Sequence, residues 1–226
     1  MIELAWRTFF LFGSLLVRLF VRVHREGPRL PPGAILLAPN HCSFMDPAVI
    51  QTTSWRHLSF LMTELYYRPW PVRWFFAWMR AIPVKEGRGN RDALAATAEK
   101  LREGWAVCVF PEGQIALDGK LQRFHPGVAA LAGDARVPVV PVAVVGTFES
   151  LPRHARFPKL FRRVTVRYGA PIPPPDGGGA GDASRKEMLR AYTERVRSAV
   201  AALLEPRQLP SPPPAPEPAA MQSARG

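Results

Sequence analysis

Short, mostly apolar segments alternate with segments of helical periodicity in this chain, and no other feature limits the fold as strongly. The strand candidates are residues 34–38, 57–62, 105–110, 137–145 and 164–168. Apolar residues recur at helical spacing at Leu94, Ala98 and Leu101, within 128–132, and at Leu189, Tyr192, Val196, Val200 and Leu203. Continuously apolar strands are typical of sheets covered on both faces, and strand–helix alternation is typical of parallel sheets. We therefore predict an α/β fold with a mostly parallel central sheet flanked by helices.

The N-terminal segment is rich in Phe, Leu, Val and Trp but is interrupted by Arg7, Arg18 and Arg22. Its uncharged run covers only residues 8–17, whereas a helix that spans a membrane needs roughly 20 apolar residues. Large apolar side chains with arginines between them are typical of a helix in the membrane interface. We predict that residues 1–26 form such a helix, a monotopic or peripheral anchor on the cytoplasmic face of the cell membrane. A core helix of the globular domain is the alternative.

The rest of the chain divides into two regions by composition. Residues 27–205 contain the alternating pattern and form the predicted α/β domain. Within it, an aromatic cluster at 66–78, interleaved with arginines, favours contact with a membrane. Seven prolines lie between residues 206 and 218. We predict that 206–226 is a disordered tail, with a PxxP-type ligand as the alternative.

Basic residues outnumber acidic ones by 30 to 18, which gives a formal net charge of +12. Such a chain is attracted to nucleic acid, anionic membranes and phosphorylated substrates. The basic residues are dispersed and form no nucleic-acid-binding motif, so no nucleic-acid partner is predicted. Cys42 and Cys108 lie in no CxxC or Cys/His spacing. We therefore predict neither a disulfide nor a metal site, and a reducing compartment.

A polar turn directly follows the first predicted strand, with the sequence Asn40-His41-Cys42-Ser43-Phe44-Met45-Asp46-Pro47. Ligands of α/β proteins usually bind where strands end. His41 and Asp46 are too far apart for one helical face, but a turn can bring the carboxylate to the imidazole. The carboxylate would then orient the ring, whose other nitrogen would accept a proton. The alternatives are a helix cap at Ser43 or Asp46 and a Cys42–His41 nucleophile.

A second turn, Phe110-Pro111-Glu112-Gly113, ends the strand predicted at 105–110. Proline and glycine hold a tight turn and let the backbone approach a ligand. The carboxyl ends of parallel strands share one edge of the sheet, so we expect Glu112 to lie in the same crevice as His41.

Together these motifs resemble those of the glycerolipid acyltransferase family, whose bacterial type is the 1-acylglycerol-3-phosphate acyltransferase. The family's first motif, Asn-His-x4-Asp, matches Asn40, His41 and Asp46, and its third, Phe-Pro-Glu-Gly, matches 110–113. Asp118-Gly119-Lys120, Phe124-x-x-Gly127 and the apolar strand from Val137 follow in the family's order and spacing. The resemblance covers residues 33–173, which is most of the predicted domain.

The resemblance implies transfer of an acyl group from acyl-CoA or an acyl carrier protein to a hydroxyl of a lysophospholipid or related lysolipid. It implies no metal and no bound cofactor. His41 would be the general base and Asp46 its orienting partner. The expected substrate-binding residues are Asn40, Ser43, Lys85, Arg88, Glu112 and Gly113. A non-catalytic lipid-binding protein on the same fold is the alternative, although a binding protein does not need a base.

The segment that matches the family's second motif differs from the family pattern. That motif commonly ends in an arginine that contacts the acceptor phosphate, and Glu86 stands in its place, between Lys85 and Arg88. The residues after Gly113 and at Thr63 also depart from the family's usual choices. We therefore expect an acceptor other than plain lysophosphatidate, or a phosphate held by a different set of residues.

Overall fold

The structure, a computed structural model, describes residues 15, 17–19, 21–63, 81–84, 90–152, 155, 159–176 and 182–205. Its strands are β1 (Val21–Glu26), β2 (Ile35–Pro39), β3 (Leu58–Thr63), β4 (Ile82–Val84), β5 (Ala106–Cys108), β6 (Val139–Val145) and β7 (Arg162–Tyr168). Its helices are α1 (Asp46–Ser54), α2 (Asn90–Arg102), α3 (Gly127–Ala135), α4 (Thr147–Ser150) and α5 (Asp182–Leu204). Each strand and helix predicted between residues 34 and 203 has a counterpart among these elements.

The described strands form one seven-stranded sheet in the order β1-β7-β6-β2-β5-β3-β4. Every neighbouring pair is parallel except β6 and β7, which are antiparallel. The prediction of a mostly parallel α/β sheet is therefore confirmed. Because β7 and β1 run against the other strands, they begin at the same edge of the sheet where β2, β5 and β6 end.

Both faces of the sheet are covered, which explains why the central strands are apolar at successive positions. All five residues of β2 are buried. Leu36 packs into a core with α2, α3 and α5 on one face. Ile35 and Leu37 pack with Val49 and Ile50 of α1 on the other face. Burial of each such side chain contributes roughly 1.5–3 kcal/mol, so β2 is held firmly at the centre of the domain.

Helix α1 begins directly at Asp46 and has Pro47 in its first turn, where the fixed φ of proline suits the helix. Its N-cap residue is Met45, which makes no side-chain capping bond. The helix ends at Trp55, which adopts a left-handed conformation with φ of 54°. Neither Ser43 nor Asp46 therefore caps this helix, and the carboxylate of Asp46 is used elsewhere.

The prediction of a helix continuing to residue 26 is wrong, because Val21–Glu26 form strand β1. Val21 and Val23 face the core while Arg22 and His24 are exposed, which is the two-residue alternation of a strand. The strand pairs with β7 from Val21 opposite Arg162 onward. Apolar residues continue from the helical segment through Val23. The change from helical to strand periodicity was therefore not evident from the sequence.

Residues 15 and 17–19, just before β1, are helical. The rest of the predicted anchor, the aromatic cluster at 66–78 and the tail at 206–226 lie outside the described residues. Among the helices that the structure does describe, none is long and apolar enough to cross a membrane.

Candidate active site

The turns that follow three central strands lie at one edge of the sheet. The turn that contains His41 and Asp46 follows β2, the turn that contains Glu112 follows β5, and Thr147 follows β6 after Gly146. Because β2 lies between β5 and β6 and is parallel to both, these turns are neighbours. The structure therefore places Glu112 at the same sheet edge as His41, and a shared substrate crevice stays a prediction.

The turn after β2 brings Asp46 back to His41. Nδ1 of His41 lies 2.9 Å from Oδ2 of Asp46. The same oxygen accepts hydrogen bonds from the backbone amides of Cys42 and Ser43, at 2.8 and 2.9 Å. Asp46 is fully buried, so these bonds replace the water that its carboxylate would otherwise bind. The predicted contact between the two side chains is confirmed.

The other oxygen of Asp46 contacts a residue from a distant part of the chain. The hydroxyl of Thr147 lies 2.6 Å from Oδ1 of Asp46 and 3.3 Å from Sγ of Cys42. Thr147 is fully buried at the start of α4. Thr147 was not among the residues predicted for the site, although it follows the strand predicted at 137–145, which ends at the same sheet edge.

The imidazole of His41 is held on one face by Phe110. The two rings stack with centroids 3.8 Å apart and an angle of 21° between their planes. The side chain of His41 keeps 15% of its surface exposed. Since Nδ1 contacts Asp46, Nε2 is the nitrogen left to exchange a proton with a substrate.

Glu112 is buried below the turn that contains His41. Its Oε1 accepts a hydrogen bond of 3.1 Å from the backbone amide of His41. Its Oε2 is buried as well. Burial raises the pKa of Glu112 to about 7, and the backbone amides of His41 and Gln122 lower it in part. Glu112 thus supports the backbone of His41, and its predicted contact with the acceptor stays a prediction.

Gly113 follows Glu112 with φ of +73°, a conformation that favours glycine. A Cβ atom there would lie 3.2 Å from the ring of His125. The turn after β5 is therefore packed closely against the segment that leads into α3, which is consistent with a conformational need for glycine here.

Asn40 and Ser43 also lie in the turn, but both side chains are engaged with the backbone. The amide of Asn40 donates to the carbonyl of Val144 at 3.0 Å and accepts from its N–H at 2.7 Å. The hydroxyl of Ser43 donates to the carbonyl of Leu151 at 2.7 Å and accepts from the amide of Met45 at 3.1 Å. These bonds tie the turn to β6 and α4, and direct contact of either side chain with substrate stays a prediction.

The remaining predicted substrate-binding residues, Lys85 and Arg88, lie outside the described residues, as does Glu86. Thr63 ends β3, on the far side of β5 from β2. Within the described residues, no group of three or more His, Cys, Asp or Glu side chains is placed to hold a metal ion.

Cys42 is buried and poorly suited to act as a nucleophile. Burial and the nearby carboxylate of Asp46 raise the pKa of its thiol to about 12, although the hydroxyl of Thr147 lowers it in part. A thiol is a weak nucleophile until it loses its proton. Burial of Cys42 therefore argues against the alternative in which this thiol is the nucleophile.

Known proteins resemble this chain in sequence and in fold. A probable 1-acyl-sn-glycerol-3-phosphate acyltransferase of Mycoplasma pneumoniae is 30% identical over 162 residues, which are 64% of this chain and 59% of that protein. A lyso-ornithine lipid O-acyltransferase of Pseudomonas aeruginosa is 32% identical over 126 residues, 55% of this chain and 46% of that one. The crystal structure of the 1-acyl-sn-glycerophosphate acyltransferase of Thermotoga maritima matches with a TM-score of 0.70 at 27% identity. That match covers 87% of this chain and 78% of that one.

This chain spans about half the length of the curated relatives it matches. A family model described as Acyltransferase matches residues 21–145, which include β1 through β6 and the turns with His41, Asp46 and Glu112. Because that match extends over more than half of the chain, and the structural match supports the same fold, the chain belongs to the acyltransferase family.

Proposed function

We propose that this protein transfers an acyl group from an acyl thioester, either acyl-CoA or an acyl carrier protein, to a hydroxyl of a lysophospholipid or related lysolipid. The observation that carries the proposal is the contact of 2.9 Å between Nδ1 of His41 and Oδ2 of the buried Asp46. A carboxylate in this position fixes the tautomer of the ring and leaves Nε2 as a general base.

In the proposed reaction, Nε2 of His41 takes the proton from the acceptor hydroxyl as its oxygen attacks the thioester carbonyl. A new C–O bond forms and the carbonyl electrons move to oxygen. When the tetrahedral intermediate collapses, the C–S bond breaks and the leaving sulfur takes the proton from His41. The carboxylate of Asp46 stabilises the imidazolium between these two steps. General-base assistance of this kind typically contributes about 10²–10⁴ in rate.

The proposed acceptor carries an amine-bearing or neutral headgroup in preference to the bare phosphate monoester of lysophosphatidate. Glu86 stands where the family usually has an arginine for that phosphate, and a carboxylate attracts an amine. One relative is named for an ornithine-containing lysolipid, which supports an amine-bearing acceptor. Lys85 and Arg88 are the proposed contacts for any phosphate that is present.

We further propose that the enzyme works at the cytoplasmic face of the cell membrane. Large apolar side chains are exposed just before β1 and β7, which begin at the edge of the sheet that carries His41. They are Leu15, Leu19, Leu160 and Phe161, each more than half exposed. Exposed cationic residues accompany them: Arg18, Arg22, Lys159, Arg162 and Arg163. Apolar side chains ringed by arginine and lysine suit a bilayer with anionic lipids.

The direct test is an acyl-transfer assay with the full chain, labelled acyl-CoA or acyl carrier protein, and a panel of lysolipids. We expect a labelled diacyl product to form with at least one lysolipid, and stoichiometric release of thiol. Binding of lysolipid without any product across the panel would instead support the non-catalytic lipid-binding alternative.

A further inference from the structure

The buried hydroxyl of Thr147 contacts Asp46, the orienting partner of the proposed base. Thr147 opens α4, directly after Gly146, whose φ of +91° turns the chain sharply at the end of β6. Its side chain lies 2.6 Å from Oδ1 of Asp46, 101 residues earlier in the sequence. Both residues are fully buried.

The direction of the hydrogen bond follows from the chemistry of the two groups. An ionised carboxylate only accepts hydrogen bonds, so the hydroxyl of Thr147 donates its proton to Asp46. The oxygen of Thr147 is then free to accept from the thiol of Cys42, 3.3 Å away. The raised pKa of Cys42 keeps that thiol protonated at neutral pH. A hydrogen-bonded chain therefore runs from Cys42 through Thr147 to Asp46 and on to His41.

The two oxygens of Asp46 are supported differently. Oδ2 contacts His41 and also accepts from the amides of Cys42 and Ser43. Among the described residues, Thr147 donates the hydrogen bond to Oδ1. Without that hydroxyl, a buried carboxylate oxygen would have no donor, which is costly for a charged group. The carboxyl group would also lose the bond that fixes its rotation while Oδ2 faces His41.

We propose that Thr147 is a positioning residue for the general base, acting through Asp46 by fixing the rotation of its carboxylate. The inference deepens the proposed acyl transfer and rests on it. Because Thr147 is fully buried and its hydroxyl contacts Asp46 and Cys42, the hydroxyl acts on the chemical step and leaves the affinity for acceptor and donor unchanged.

The experiment compares two pairs of proteins that differ at the hydroxyl. In the first pair, wild type has a hydroxyl where Thr147→Val has a methyl group. In the second pair, Thr147→Ser has the hydroxyl and Thr147→Ala lacks it. In each pair we expect kcat to fall roughly 10- to 100-fold when the hydroxyl is removed, the range for a lost hydrogen bond to a charged group. The KM values for acyl donor and lysolipid should change less than about threefold.

Thr97→Val is the matched control. Thr97 is also fully buried, and its hydroxyl donates to the carbonyl of Ala93 within α2, at 2.6 Å, away from the sheet edge that carries the site. We expect this variant to keep the kcat of wild type even where its resistance to urea falls as much as that of Thr147→Val.

Equal kcat within both hydroxyl pairs, or a loss confined to KM, would overturn the inference while leaving acyl transfer intact. If Thr147→Val does not fold, the serine and alanine variants decide the question. Absence of acyl transfer in wild type with every lysolipid tested would instead refute the proposed function, so the two failures are distinguishable.

Discussion

The carboxyl group of Glu112 accepts a hydrogen bond from the backbone amide of His41, with 3.1 Å between Oε1 and N. The two residues follow neighbouring parallel strands, β5 and β2, and are 71 positions apart in sequence. The amide of Ala116 adds a second link by donating to the carbonyl of His41 at 2.8 Å. The segment after β5 therefore fixes the backbone from which the imidazole projects.

Burial of Glu112 makes folding stability depend on the protonation of its carboxyl group. Burial raises the pKa of Glu112 from an ordinary 4.5 to about 7. An acid whose pKa is raised on folding binds more protons in the folded state, so its contribution to stability is lost as pH rises from about 4.5 to about 7. Glu112→Gln keeps a carbonyl oxygen for the amide of His41 but does not titrate. We therefore expect the free energy of unfolding of wild type to fall, relative to that of Glu112→Gln, between about pH 5 and about pH 8.

Urea unfolding of both proteins at the two pH values measures the effect. Glu187→Gln, at an exposed position of α5, is the control and should leave the pH dependence of wild type unchanged. Parallel stability curves for wild type and Glu112→Gln would show that Glu112 does not titrate in this range.

The contact between His41 and Asp46 was predictable because it is local. A turn over a few residues, placed after a buried strand, has few ways to bury a carboxylate other than against the neighbouring imidazole and amides. The bonds of Asp46 to Thr147 and of Asn40 to Val144 were not predictable in the same way. Each joins residues more than 100 positions apart, and the pairing depends on β6 lying directly beside β2. Strand order of that kind is set by packing of the whole sheet, which periodicity does not report.

Loss of the base should abolish most acyl transfer without unfolding the protein. We expect His41→Ala and Asp46→Asn each to lower kcat by about 10²–10⁴, the usual range for general-base assistance. The measurement is initial rate with labelled acyl donor, with circular dichroism to verify folding.

His24→Ala is the matched control for the histidine variant, because His24 is exposed on β1, which is separated from β2 by β7 and β6. It should retain the rate of wild type. Near wild-type turnover by a folded His41→Ala protein would contradict the assignment of His41 as the base.

The exposed apolar residues before β7 should contribute to membrane binding. Leu160 and Phe161 are 51% and 61% exposed and lie between Lys159 and Arg162. We expect the double variant Leu160→Ser/Phe161→Ser to bind vesicles that contain anionic lipid at least about fivefold more weakly, since each large apolar side chain contributes roughly 1.5–3 kcal/mol on full burial. Co-sedimentation with vesicles of mixed zwitterionic and anionic lipid measures this.

Leu117→Ser tests whether any exposed leucine has the same effect, because Leu117 is 68% exposed in the segment between β5 and α3. We expect a smaller loss of vesicle binding for Leu117→Ser.

A truncation that tests the N-terminal anchor should end at residue 20, since Val21 is fully buried in β1. Unchanged vesicle binding by the Leu160/Phe161 double variant would exclude the turn before β7 from the membrane contact.

The segment that contains Glu86 directly follows β4, which is paired in parallel with β3. A phosphate monoester carries close to two negative charges at neutral pH, and an arginine in this position would grip it with two charge-assisted hydrogen bonds. A carboxylate repels it instead. Two like charges about 4 Å apart cost roughly 1 kcal/mol in water and about 4 kcal/mol at an effective dielectric near 20.

We expect wild type to prefer amine-bearing lysolipids to lysophosphatidate, and Glu86→Arg to reverse or reduce that preference by about 5- to 100-fold in the ratio of kcat/KM values. The measurement sets the two acceptors side by side with the same acyl donor. Glu86→Gln separates the two contributions, because it removes the repulsion without adding a phosphate-binding group; it should move the ratio part of the way. The predicted preference depends on the interaction between the charges of Glu86 and the headgroup. Added salt should therefore weaken the preference to the extent that Glu86 is exposed to solvent. If wild type already prefers lysophosphatidate and Glu86→Arg leaves the ratio unchanged, Glu86 has no part in choosing the acceptor.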